Sequence, residues 1–182
     1  DPSEDVQPAF APDGGSVAFI STRSSKTGLI RIGGTFGRNV RTYGGDLGNT
    51  RYSPLDQITA ANFEKLEVAW TWRGDNFGPQ VDHLFRSTPL YVDGLLYTVA
   101  GQRRTVAAID PGTGETLWTY REPHTTRFDR GMRNNYGKGV AYGEIDGRRV
   151  IYYTSPAFFL HALDAKTGQH LENWGARVPL PG

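Results

Sequence analysis

Ala108-Ile109-Asp110-Pro111-Gly112-Thr113-Gly114 returns 54 residues later as Ala162-Leu163-Asp164-Ala165-Lys166-Thr167-Gly168. The Asp-Gly pair upstream of each copy, Asp93-Gly94 and then Asp146-Gly147, repeats at 53. Self-similarity over a few tens of residues marks a repeated structural unit. The shared pattern, A-[IL]-D-x-x-T-G, is turn chemistry: Ala fits a crowded strand, Asp caps the turn, Thr closes it with its hydroxyl, and Gly takes the left-handed conformation. Residues 88–120 and 139–174 therefore read as two copies of one unit: strand, Asp-Gly turn, strand, loop, strand ending in Asp, Thr-Gly turn, final strand. Trp118 follows Gly114 by four residues and is expected to lie flat between neighbouring units. In the second copy Glu172 holds that place and Trp174 stands two residues later.

Outward from these copies, short β-type runs recur at 16–22, 29–32, 66–72, 95–100, 106–110, 115–120, 139–144, 150–154 and 158–164, each bounded by Gly, Pro, Asn or Asp. Asp13-Gly14, Asp93-Gly94 and Asp146-Gly147 predict tight hairpins, because Asp-Gly readily adopts the positive φ angles that such turns need. One segment, 58–66, has a helical pattern, with Thr59 as N-cap and Phe63 and Leu66 three apart. Four-stranded antiparallel units repeated about an axis make a β-propeller. The expected fold is all-β: a partial propeller of about two four-stranded blades plus an N-terminal hairpin.

The chain has 182 residues with 20 Lys and Arg against 19 Asp and Glu, a net charge of +1. That balance argues against a nucleic-acid binder working through bulk positive charge. With no cysteine, disulfides, zinc–thiolate sites, iron–sulfur clusters and cysteine nucleophiles are excluded. No apolar run approaches the ~18 residues of a membrane span, and the segment from Asp1 has neither the basic nor the apolar region of a secretory leader. His83, His124, His161 and His170 lack metal-ligand spacing, and His161, on a strand, reads as packed rather than ligating. Gly112-Thr113-Gly114 lacks the third glycine and helix of a dinucleotide fingerprint, and Gly33-Gly34-Thr35-Phe36-Gly37 lacks the Lys-Ser/Thr ending of a P-loop. No G-x-S-x-G elbow occurs.

Tyr43-Gly44-Gly45-Asp46-Leu47-Gly48-Asn49-Thr50-Arg51-Tyr52-Ser53-Pro54-Leu55 resembles the opening of pyrroloquinoline quinone (PQQ)-dependent dehydrogenases. Ser87-Thr88-Pro89-Leu90-Tyr91-Val92-Asp93-Gly94, the segment 107–118, Tyr136-Gly137-Lys138-Gly139-Val140-Ala141-Tyr142 and the segment 161–168 come in that family's order. The likeness covers about three-quarters of the chain. Residues 1–42 are different: Pro8-Ala9-Phe10-Ala11-Pro12-Asp13-Gly14-Gly15-Ser16-Val17-Ala18-Phe19-Ile20-Ser21-Thr22-Arg23 is similar to the repeat of TolB-type propellers. The expected organisation is a TolB-like segment over 1–42 joined between Tyr43 and Asp46 to quinoprotein blades over 43–182. The change of repeat type implies a truncated or spliced chain, since the family's eight-bladed ring needs several hundred more residues.

The resemblance implies oxidation of an alcohol or sugar with PQQ and calcium as cofactors, in the periplasm or on a membrane facing it. Electrons would pass to a respiratory quinone or a cytochrome. It places the catalytic base and the calcium ligands beyond Gly182, so no catalytic or metal-ligating residue is assigned within the chain. The cofactor-binding candidates are Lys138, Thr154, Arg133 and Arg86. Lys138 stands where the family has an Arg reaching a PQQ carboxylate; a Lys keeps the charge without the bidentate fork. Thr154 matches a Thr that hydrogen-bonds the quinone, and Arg86 replaces a Glu or Gln that touches it. The loop 121–138 carries a net +3 against −2 for the rest, a reasonable field for a tricarboxylate. Met132 and Arg133 fall where some relatives hold a vicinal cysteine pair, which favours the cysteine-free, sugar-oxidising type. The alternative is a non-catalytic propeller scaffold presenting loops to protein partners; open blade edges would also allow self-association by strand pairing.

Overall fold

The computed structural model describes residues 6–10, 17–21, 29–31, 41–42, 46–50, 60–61, 70–77, 87–101, 103–130 and 139–175. They form three antiparallel sheets. The first combines β1 (Val6–Phe10), β2 (Val17–Ser21), β3 (Leu29–Arg31) and β4 (Thr71–Arg73) in that order. The expected N-terminal hairpin is thus part of a larger sheet, whose last strand comes from beyond residue 43 and pairs Ile30 with Trp72. The second is a meander of β5 (Leu90–Val92), β6 (Leu95–Ala100), β7 (Thr105–Ile109) and β8 (Thr116–Tyr120). The third holds β9 (Ala141–Ile145), β10 (Arg148–Thr154) and β11 (Leu160–Asp164).

Turn chemistry acts where the sequence placed it. Asp93 and Gly94 adopt φ of 49° and 86°, and Asp146 and Gly147 adopt 50° and 74°, the paired positive angles of a tight hairpin. Asp13-Gly14 lies outside the described residues. In the A-x-D-x-x-T-G turns Asp110 Oδ1 accepts from the amides of Gly112 and Thr113, and Asp164 Oδ1 accepts from those of Lys166 and Thr167. Thr113 and Thr167 each accept from the amide two residues on, and Gly114 and Gly168 are left-handed.

Tryptophans join the sheets. A Cβ at Gly114 would collide with the Trp70 ring, and one at Gly168 with the Trp118 ring. The indole of Trp70 donates to the carbonyl of Pro111 and that of Trp118 to the carbonyl of Ala165, the residue after Asp in each turn. Trp118 therefore lies between units as expected. Trp72 also bridges sheets, donating to Thr116 Oγ1 at 2.8 Å. The core between the second and third sheets consists of Leu90, Val92, Tyr97, Val99, Val106, Ala108, Ile151, Tyr153, Leu163 and Ala165.

One expectation needs correction. The second copy has no fourth strand among the described residues: after Gly168 it makes an isolated Leu163–His170 bridge and one Leu171 bond to Ala162. Glu172 offers no ring to a neighbouring sheet, Trp174 packs instead on Tyr152 of its own sheet, and Asn173 and Gly175 are left-handed. The single described α-helix is one unexpected turn, α1 (Thr126–Asp129), capped by Thr125. Of the expected helix at 58–66, residues 60 and 61 form a turn and the rest lies outside the described residues.

Candidate functional site

Among the four cofactor-binding candidates, Thr154 is described, and Arg86, Arg133 and Lys138 lie outside the described residues. Thr154 closes β10, exposed, with its carbonyl taken by Arg104 Nη1 at 3.0 Å. The residues just after Arg86 and Lys138 meet each other. Gly139, left-handed at φ 75°, packs so closely on Ser87 that a Cβ would stand 3.2 Å from Ser87 Oγ. The β9–β10 register runs from Arg148 opposite Ile145 to Tyr152 opposite Ala141; two more residues place Thr154 across from Gly139. Ser87, Gly139 and Thr154 thus share one end of the blades. Ser87 Oγ is fully buried there and lacks a hydrogen-bond partner among the described residues.

The turn after Thr154 is held from several sides. Ser155 Oγ donates to Glu122 Oε1 at 2.6 Å and accepts from the Phe159 amide at 3.1 Å. His161 Nε2 lies 3.0 Å from the same Glu122 oxygen. A carboxylate only accepts, so Nε2 carries the proton in this contact. Arg104 Nη1 also reaches the Ser155 carbonyl, and Arg127 Nε donates to that of Ala157 at 2.8 Å. His161 stacks on Tyr153 with centroids 5.1 Å apart; it is a packed histidine, as its strand position implied. Burial, then the nearby Tyr120 and Glu122, pushes the Tyr153 phenol up, and burial and Glu122 do the same to Tyr120. Both rings therefore stay neutral.

The basic loop is partly spent on structure. Besides its bond to Ala157, Arg127 lies over the Phe159 ring, and His124 engages Asp129 at 2.7 Å. Arg121 and Arg130 stay exposed. Arg104, Glu122 and Ser155 gave no signal in the sequence, because their contacts join residues 33 to 51 apart. At the other end of the strands a groove of about 590 Å³ lies between the hairpins, lined by Asp93, Tyr97, Tyr142, Arg149 and Asp164 among others. β10 spans seven residues, so at ~3.3 Å each the groove is roughly 20 Å from Thr154. Its Asp93 and Asp164 are paired with Arg149 and Arg148.

Residues 40–178 match the family model "PQQ: Glucose/ethanol/alcohol dehydrogenase, beta-propeller domain". The chain is similar to the dehydrogenase subunit of a quinone-linked alcohol dehydrogenase from Gluconobacter oxydans, 35% identical over 136 residues, 70% of this chain and 16% of that protein. It is also similar to a 1-butanol dehydrogenase (cytochrome c) from Thauera butanivorans, 34% identical over 141 residues, 72% of this chain and 18% of that protein. The crystal structure of quinohemoprotein alcohol dehydrogenase from Comamonas testosteroni superposes with a TM-score of 0.55 at 34% identity, covering 73% of this chain and 18% of that one. The chain thus spans less than a fifth of these relatives' length, and all three carry alcohol dehydrogenase names rather than sugar dehydrogenase names. With its Trp-on-Gly joints and repeated A-x-D-x-x-T-G turns, the chain belongs to the PQQ-dependent glucose/ethanol/alcohol dehydrogenase β-propeller family.

Proposed function

We propose that this chain builds blades of a PQQ-dependent alcohol dehydrogenase and supplies one wall of the quinone's seat. The observation that carries this reading is the convergence of Ser87, Gly139 and Thr154 at one end of two adjacent blades, next in sequence to or identical with three of the four candidates. That end fits an oxygen-rich anionic ligand. Ser87 Oγ is an orphaned buried polar atom among the described residues, Thr154 is exposed, and of the exposed arginines on the loop after β8 Arg121 and Arg130 are not tied to the Ala157 turn as Arg127 is.

PQQ, when bound, supplies the two-electron acceptor for oxidation of the alcohol. This chain's own residues would bind and orient it: the Thr154 hydroxyl by a hydrogen bond, and Lys138, Arg133 and Arg86 by charge to its carboxylates. The base and the calcium ligands are not assigned within this chain, and among the described residues no three His, Asp or Glu side chains gather as a metal site. The names of the relatives support an alcohol as substrate and a quinone or cytochrome as acceptor. A periplasmic setting goes with that chemistry.

The test is a graft of residues 40–178 into the corresponding segment of the Comamonas testosteroni enzyme, reconstituted with PQQ. Uptake of PQQ with alcohol-dependent dye reduction is expected, and Lys138→Ala should weaken uptake roughly tenfold, the worth of one hydrogen bond to a charged group. A folded graft that takes up no PQQ would overturn the proposal.

A further inference from the structure

Two charged side chains are buried among the described residues, one of each sign, Arg104 at 4% exposure and Glu122 at 5%. Withdrawing an ion from water is among the largest penalties a fold can carry, and it is offset only by close hydrogen bonding. Both ions bond to one short segment of the neighbouring blade, residues 154–161. Arg104 reaches there from the β6–β7 hairpin, with a left-handed backbone at φ 49°, and donates to the carbonyls of Thr154 and Ser155. Glu122, just after β8, takes the Ser155 hydroxyl and the His161 imidazole on one oxygen. His161 Nδ1 is buried without a partner among the described residues, so the ring's hydrogen bonding there goes to that carboxylate. Ser155 then fixes Phe159 through two further bonds, which closes the turn.

We infer that Arg104 and Glu122 are positioning residues for Thr154: the buried pair locks the 154–159 turn of one blade onto its neighbour, aiming the Thr154 hydroxyl at the ligand. The inference rests on the reading of Thr154 as part of the quinone seat. It names a function for the two buried ions, which act through Ser155 and the backbone.

The experiment is a double-mutant cycle on the 182-residue chain labelled with ¹⁵N, titrated with PQQ while the Thr154 and Ser155 amides are followed. Weak, saturable binding is expected. Thr154→Ala and Ser155→Ala should each lower the affinity about tenfold, and the double variant should bind no more weakly than Thr154→Ala alone, because both act through one contact. Glu122→Gln, which keeps the side chain's shape, serves the same cycle where Ser155→Ala does not fold; Arg104→Lys is expected to behave like Glu122→Gln. If the two factors multiply, or if Ser155→Ala and Glu122→Gln leave affinity intact while Thr154→Ala lowers it, the buried pair serves the fold alone and the inference is overturned. No binding by the parent chain, or no effect of Thr154→Ala, would overturn the seat reading itself and this inference with it.

Discussion

The unit containing β5 to β8 and the unit containing β9 to β11 use the same seven-residue turn, yet among the described residues one continues into a fourth strand and the other does not. Both turns close on the same hydrogen bonds: the Asp carboxylate accepts from the amides two and three residues on, and the Thr hydroxyl from the amide two residues on. Beyond the turns the two units part. Trp118 lies on the Gly168 turn of the next unit, whereas Glu172 stands in the equivalent place and Trp174 turns back onto Tyr152. A turn is set by local chemistry, whereas a propeller's outer strand also needs a side chain that docks on the blade beyond.

The largest expected effect comes from breaking that joint. Trp118→Ala should cost about 3 kcal/mol in urea unfolding, the order for loss of a large packed aromatic. Trp174→Ala, which loses the Tyr152 ring pair and the half-buried edge of the small Val150, Ala162 and Leu171 cluster, should cost less, about 1–2 kcal/mol; equal costs would dissolve the contrast. Next, Gly168→Ala must drive a methyl into the Trp118 ring as well as hold φ at 71°, and about 2 kcal/mol or more is expected. Gly147→Ala, at φ 74° with open space around it, should cost only the backbone strain, about 1 kcal/mol. Smaller still, Asp110→Ala and Asp164→Ala should each cost about 1 kcal/mol and match one another, since the turns are alike. The Arg148 pairing with Asp164, largely exposed on the arginine side, adds little. A clear inequality would show that the second turn depends on its surroundings.

The smallest effect is on pH. Burial, then the facing His161, holds the His170 imidazole below its ordinary value. The fold therefore favours its neutral form: the associated stability is full above the unfolded value of about 6.5 and is lost as pH falls through the window below it. Thermal midpoints between pH 7 and 5 should fall less in His170→Asn than in the parent chain. An unchanged pH profile would show that His170 is solvated.

Much of the fold was legible because its determinants are local. The Asp-Gly hairpins and the two A-x-D-x-x-T-G turns depend on residues within a few positions of one another, and Trp118, which docks 47 residues away on Ala165, was legible because it follows the first turn's glycine by four residues. The pairing of β3 with β4 was not legible, since Ile30 and Trp72 are distant in sequence and belong to segments with different repeat patterns. The lack of a fourth strand among the described residues of the second unit had a visible sign in Glu172, but the repeat pattern outweighed it. α1 is a single turn without a buried residue, so it leaves no apolar period to read. In the candidate site Thr154 was singled out through the resemblance to the quinoprotein family. Arg104, Glu122 and Ser155 were not, because a buried ion between blades looks in sequence like any surface charge.

The most direct test of the seat is where PQQ perturbs the chain's amides. Shifts are expected at Ser87, Gly139 and the 154–159 turn, with Asp93, Tyr142 and Arg149 at the opposite groove unmoved. Shifts confined to that groove would contradict the seat.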